Sequence, residues 1–154
     1  VRLTRPFRRG PEKKKPPNLL RPFGIHRHQL TLGALSVEQA LQICAYLAEG
    51  LHLMHSKQVV HRDIKPENIM ITAKGKIKLM DFGIAKGVDP SNMTQTGTFM
   101  GSPSYMSPEQ VRGQNVDSKT DIYSLGVVFY ELTTGRLPFS GNSTHNLIIK
   151  IASG

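Results

Sequence analysis

The chain has 154 residues, 38% hydrophobic and 20% charged, which suits one medium domain and excludes two large ones. Twenty Lys/Arg against eleven Asp/Glu give a formal net charge of +9, yet residues 1–28 hold nine of the basic residues and only one acidic residue, so the remainder is nearly neutral. The longest apolar run, around Leu125 to Leu132, is too short to span a bilayer, no signal-peptide pattern is visible, and the single cysteine, Cys44, excludes an intramolecular disulfide.

Residues 1–34 read as a basic, proline-rich arm. Prolines at 6, 11, 16, 17 and 22 interrupt any helix, and no apolar period survives between them. A basic stretch without aromatic interleaving or a nucleic-acid-binding fold motif predicts a solvated arm, with no specific nucleic-acid contact. Ordered structure is expected from Leu35. Ser36 and Gln39 form a capping box, and Val37, Ala40, Leu41, Cys44, Leu47, Ala48, Leu51 and Met54 follow at helical spacing. Cys44 is expected to pack in the core, consistent with a reducing, cytoplasmic setting. His52 and His55 sit on this helix without a third ligand at metal spacing, and a surface or core role is expected of them.

Short strands are predicted at Gln58–Val60, Ile69–Thr72 and Lys76–Met80, the last two joined through Ala73-Lys74-Gly75 as a hairpin. Asp81 to Met106 reads as a long loop rich in Gly, Ser and Thr. Ser107-Pro108-Glu109-Gln110 starts a short helix, with Ser107 as cap and Gln110 closing a second capping box. Residues 118–134 form a further helix, stopped by Gly135 and Pro138. Ile122, Leu125, Val127, Val128, Phe129 and Leu132 make it apolar almost all round, so it is expected to be buried. A last helix begins near Ser143. The fold class is therefore α+β, mainly helical, with short β hairpins.

The chemistry-bearing residues cluster between these elements. His61-Arg62-Asp63-Ile64-Lys65-Pro66-Glu67-Asn68 lies between two strands, and Asp81-Phe82-Gly83 directly follows the next. With Ser107-Pro108-Glu109 and Asp121-Ile122-Tyr123-Ser124-Leu125-Gly126, these strings resemble, in order and spacing, the eukaryotic-type protein serine/threonine kinase family, in the style of its bacterial members. The resemblance runs from about Ser36 to Gly154, so residues 35–154 are read as a partial protein kinase domain, its C-terminal lobe.

The resemblance implies ATP and Mg²⁺ as cofactors and protein Ser/Thr hydroxyls as substrates. It implies that Asp63 orients the substrate hydroxyl and accepts its proton, and that Lys65 supplies charge to the transferring phosphoryl group. It implies that Asn68 and Asp81 hold Mg²⁺ and that Met70 floors the adenine site, although Met70 equally suits a plain core position in a strand. Arg62 is the family's usual partner for an activation-loop phosphate, and Thr94 and Thr96 are the hydroxyls favoured to carry one, with trans-phosphorylation between two kinase chains as the route. Ser102 is implied to support the substrate site. Asp121 is implied to accept backbone N–H groups around His61 and Arg62, and Glu109 to pair with an arginine beyond Gly154.

No Gly-x-Gly-x-x-Gly and no Val-Ala-x-Lys string occurs in the sequence. The chain is accordingly read as the truncated part of an enzyme whose nucleotide clamp lies outside it. The other reading is a non-catalytic, kinase-like binding module. The intact set Asp63, Lys65, Asn68 and Asp81 favours the first.

Overall fold

The computed structural model describes residues 35–72, 75–81 and 103–154. The basic arm, the Ala73-Lys74 part of the hairpin turn, Phe82, Gly83, Thr94, Thr96 and Ser102 lie outside these described residues. The fold is mainly helical, with one two-stranded hairpin among the described residues.

Helix α1 spans Val37–His55. The Ser36 hydroxyl accepts from the Gln39 N–H and the Gln39 side chain accepts from the Ser36 N–H, so the predicted capping box is present. Its buried stripe is Ala40, Ile43, Leu47 and Leu51. Val37 and Leu41, expected on that stripe, are instead 60% and 53% exposed. Each step along a helix turns the side chain by about 100°, so Leu41, next to buried Ala40, is rotated off the packed face.

The strand expected at Gln58–Val60 does not form; the segment is a turn followed by irregular chain. Lys57 N–H bonds to Met54 O, Gln58 N–H to His55 O and Val59 N–H to Met54 O, and Gln58 takes φ 58°. The free carbonyls at the end of α1 capture these donors, and a left-handed residue cannot belong to a strand.

A 3-10 turn, Pro66–Asn68, leads into β1 (Ile69–Ile71), which pairs antiparallel with β2 (Ile77–Leu79) in the register Ile69 to Leu79. The hairpin is the one predicted, with shorter strands. Gly75, at φ 71°, donates its N–H to Thr72 O at 2.8 Å and closes the turn.

After a 3-10 turn at Pro103–Tyr105 come α2 (Pro108–Val111), α3 (Ser118–Thr134) and α4 (Thr144–Ser153). Helix α3 ends on Gly135 at φ 71°, the left-handed residue that stops a helix. It packs against α1, and the core gathers Leu47, Leu51, Ile64, Ile69, Leu125, Val128 and Leu132. Leu35 N–H bonds to Leu132 O at 2.8 Å and pins the approach to α1 onto α3.

Helix α3 is buried along much of its length but is not apolar all round. Ile122 is 54% exposed, whereas Thr120, Asp121, Ser124 and Glu131 are buried. Those polar groups are satisfied: Ser124 Oγ donates to Tyr105 O at 2.7 Å, and Tyr105 Oη donates to Glu131 Oε2 at 2.5 Å. No helix among the described residues is long and apolar enough to cross a membrane.

Candidate active site

The site is built on the irregular chain from His61 to Lys65, between α1 and β1. Such a segment has no ladder of its own to satisfy its backbone, so side chains from elsewhere must do it. Asp121, in the first turn of α3 and 0% exposed, supplies both carboxylate oxygens. Oδ2 accepts from His61 N–H at 2.9 Å and Oδ1 from Arg62 N–H at 2.8 Å. The His55 ring meets Oδ2 as well, through Nε2 at 2.8 Å. A carboxylate with no access to water is costly without such partners, and three donors surround this one.

His61 is buried, with Nε2 3.1 Å from Met80 O and Nδ1 3.3 Å from Asp63 N. A carbonyl can only accept and a backbone N–H can only donate, so the proton sits on Nε2 and the ring is neutral. Burial lowers the His61 pKa below its usual 6.5, against the opposing pull of Met80 O and the carboxylates of Asp121, Asp63 and Asp81.

Arg62 holds φ 68° without being glycine. Its N–H is taken by Asp121, and its carbonyl accepts from Gln110 Nε2 at 2.9 Å. The Arg62 side chain is exposed.

Asp63 follows on this braced turn. Lys65 Nζ lies 3.0 Å from Asp63 Oδ1 and 2.9 Å from Oδ2. Asn68 Nδ2 donates to Asp63 O at 2.7 Å and to Oδ2 at 3.0 Å. Asp63, Lys65 and Asn68 thus form one hydrogen-bonded group, with Asn68 buried and Asp63 and Lys65 half-buried. Asp63 lines a small depression together with Arg62, Ile64, Lys65, Tyr105, Met106 and Gln110.

Asp81 is exposed, at φ 49°. Met80 N–H donates to Asn68 O at 2.7 Å, which brings the residue before Asp81 onto Asn68. Asn68 commits its Nδ2 to Asp63, so its remaining side-chain atom is an oxygen acceptor. Together with the Asp81 carboxylate it makes an all-oxygen donor set, the kind that suits Mg²⁺, which keeps several waters and needs few protein ligands. Among the described residues no group of three His, Cys, Asp or Glu is placed to hold a metal. Met70 is half-buried in β1 and pairs with Lys78.

Several contacts have no counterpart in the sequence reading. His55, given only a surface or core role there, reaches Asp121; nothing in a local pattern links residues 66 positions apart. Gln110 closes its capping box with Ser107, as expected, and also reaches the Arg62 carbonyl. Glu109 has a partner among the described residues: Thr120 Oγ1 donates to its Oε1 at 2.5 Å. Burial alone would raise the Glu109 pKa, but hydrogen bonds from Thr120, its own backbone and Ser107, with Arg112 nearby, leave it below its usual 4.5.

Residues 23–154 match the family model described as the protein kinase domain. A probable serine/threonine-protein kinase of Clostridium perfringens is 46% identical over 118 residues, which are 77% of this chain and 17% of that protein. The serine/threonine-protein kinase PknB of Mycobacterium leprae is 46% identical over 114 residues, 73% of this chain and 18% of that protein. A serine/threonine-protein kinase of Corynebacterium efficiens is 48% identical over 117 residues, 76% of this chain and 22% of that protein. The chain spans about a fifth of the length of these curated relatives.

Proposed function

We propose that this chain, which belongs to the protein kinase domain family in its bacterial style, serves the transfer of the ATP γ-phosphoryl group to Ser or Thr hydroxyls of proteins. The observation that carries this reading is the Asp63 carboxylate, held between Lys65 Nζ and Asn68 Nδ2 on a turn whose backbone is satisfied by side chains.

Phosphoryl transfer asks a protein mainly for positioning and charge neutralisation. Asp63 orients the substrate hydroxyl and accepts its proton. Lys65, 2.9 Å from that carboxylate, fixes the direction of Asp63 and brings positive charge to where the phosphoryl group passes. Asn68 and Asp81 are the residues that would hold Mg²⁺, which when bound neutralises phosphate charge. Met70 would floor the adenine site. Arg62 receives the phosphate of Thr94 or Thr96 in a chain modified by another copy of the kinase, while Ser102 and Asp121 support the substrate site.

In this reading residues 35–154 are the substrate-binding, C-terminal lobe of the kinase domain, residues 1–34 are a basic arm, and the protein works in the cytoplasm on protein substrates. The sequence has neither the glycine-rich loop nor the lysine string that would form the first wall of the nucleotide cleft.

The test is phosphate incorporation from labelled ATP into a generic basic protein. The chain is assayed alone and joined to the glycine-rich lobe of one of the bacterial relatives. The joined protein is expected to phosphorylate Ser and Thr, and Asp63→Asn and Asp81→Asn to abolish the signal. A folded joined protein without Asp63-dependent transfer would overturn the reading in favour of a non-catalytic binding module. Vigorous transfer by the chain alone would overturn the assignment to one lobe.

A further inference from the structure

We infer that Gln110 is a positioning residue for Asp63, acting through the peptide group that joins Arg62 to Asp63. The inference rests on the reading of Asp63 as the catalytic carboxylate.

That peptide group is gripped at both polar ends. Its carbonyl, on Arg62, accepts from Gln110 Nε2 at 2.9 Å, and its N–H, on Asp63, meets His61 Nδ1 at 3.3 Å. Arg62 itself is left-handed, a conformation that disfavours any residue with a Cβ. Relaxing it would rotate this peptide plane and swing the Asp63 side chain with it. The Asp121 carboxylate holds the N–H before Arg62, but only Gln110 holds the carbonyl after it among the described residues.

The orientation of the Gln110 amide is fixed by its other end. Its Oε1 lies 3.0 Å from Ser107 N, which can only donate, so Nε2 is the end that faces the Arg62 carbonyl. Gln110 is 4% exposed, and Ser107 is anchored in turn on α3 through Thr120 Oγ1 at 3.3 Å. Helix α3 therefore braces the turn twice, through Asp121 from one side and through Ser107 and Gln110 from the other. A capping box accepts Glu as well as Gln, so the cap alone does not require an amide here. The donor toward Arg62 does.

Gln110→Glu separates the two duties. The carboxylate keeps the acceptor for Ser107 N–H and loses the donor toward the Arg62 carbonyl. Amide hydrogen exchange by NMR on the full chain reads both. The Asp63 amide is expected to exchange about tenfold faster, the size of one lost buried hydrogen bond. The Val111 amide, bonded to Ser107 O, is expected to stay within about twofold of its original rate, since the cap survives. Equal acceleration at Asp63 and Val111 would reduce Gln110 to a helix cap and overturn the inference, as would an unchanged Asp63 rate.

A second measurement needs no variant. In the unaltered chain the side-chain NH₂ protons of Gln110 are expected to exchange at least tenfold slower than those of exposed Gln114. Equal rates would overturn the inference. Neither reading involves ATP or turnover, so its failure leaves the kinase reading standing, and failure of phosphate transfer leaves these rates unaffected.

Discussion

Asp121→Ala puts the brace of the turn from His61 to Asp63 to the test. The carboxylate is fully buried and takes His61 N–H at 2.9 Å, Arg62 N–H at 2.8 Å and His55 Nε2 at 2.8 Å. Its removal strands two backbone donors in the interior, each costing about 1–3 kcal/mol. His55 is partly exposed and turns to water at little cost. The sum is about 2–6 kcal/mol, and breaking buried charge pairs in general costs about 3–5 kcal/mol. Against a total stability of about 5–15 kcal/mol this is a large fraction. With a urea slope of about 2 kcal/mol/M, the unfolding midpoint is expected to fall by about 2 M. Asp121→Asn keeps one oxygen for Arg62 N–H and offers an NH₂ to His55, whose ring can switch tautomer, but it confronts His61 N–H with a donor. Its loss is expected to be about half that of alanine, since one backbone donor is stranded where alanine strands two. Urea unfolding followed by circular dichroism measures both. A midpoint that moves by less than about 0.3 M in Asp121→Ala, at an unchanged slope, would refute the argument that this carboxylate holds the turn.

Other outcomes follow from single sites. His61 has a folded pKa below its usual 6.5 because it is buried, so the unfolded state binds the extra proton. Stability is then complete above about pH 6.5 and is lost as pH falls below it, by at most about 1.4 kcal/mol per pH unit from this group. Thermal unfolding at pH 7.5 and 5.5 is expected to show the drop, and His61→Gln to flatten it; an unchanged slope in that variant would exclude His61 as its source. The Cys44 thiol is pushed up to about 11 by burial, from 9.0. At pH 8 it carries about a hundredfold less thiolate, so iodoacetamide is expected to label the native chain about a hundredfold more slowly than the unfolded chain. A native rate near the unfolded one would place Cys44 outside the packed interior. Ser36→Ala removes the acceptor for Gln39 N–H and is expected to cost about 1 kcal/mol in urea unfolding; no change would mean the start of α1 is held by packing alone.

What the sequence made legible is what is written locally. The end of α3 follows from a residue that acts on its own neighbourhood, the stop at Gly135. Both capping boxes and the Ile69 to Leu79 hairpin are of this kind. The Asp117 cap at the start of α3 came only with the structure. The errors lie where groups outside the segment decide. Gln58–Val60 has strand-like composition, yet the carbonyls at the end of α1 draw it into a turn. Ile122 counts among the apolar residues of α3, yet its neighbour Asp121 is turned inward to meet the turn at His61 and Arg62, and Ile122 is 54% exposed. The Gln110 contact with Arg62 and the His55 contact with Asp121 join residues 48 and 66 positions apart, and no period or motif spacing encodes them. Asp63, Lys65, Asn68 and Asp81 stood out because their residue types and spacing resemble a known family; their hydrogen bonds came only with the fold.

The brace on the turn from His61 to Asp63 also sets an order of events during synthesis. Asp121 lies 60 positions after His61. A ribosome adding about 5–20 residues per second delivers it about 3–12 s after the turn has emerged. Through that interval the two N–H groups that Asp121 will claim have only water as partner, and α1 lacks the helix it packs against. The left-handed bend at Arg62 therefore belongs to the late stage of folding, when α3 closes back on α1. A nascent chain halted before Asp121 would present residues 61–68 as a loose loop, open to proteases that the finished fold keeps out.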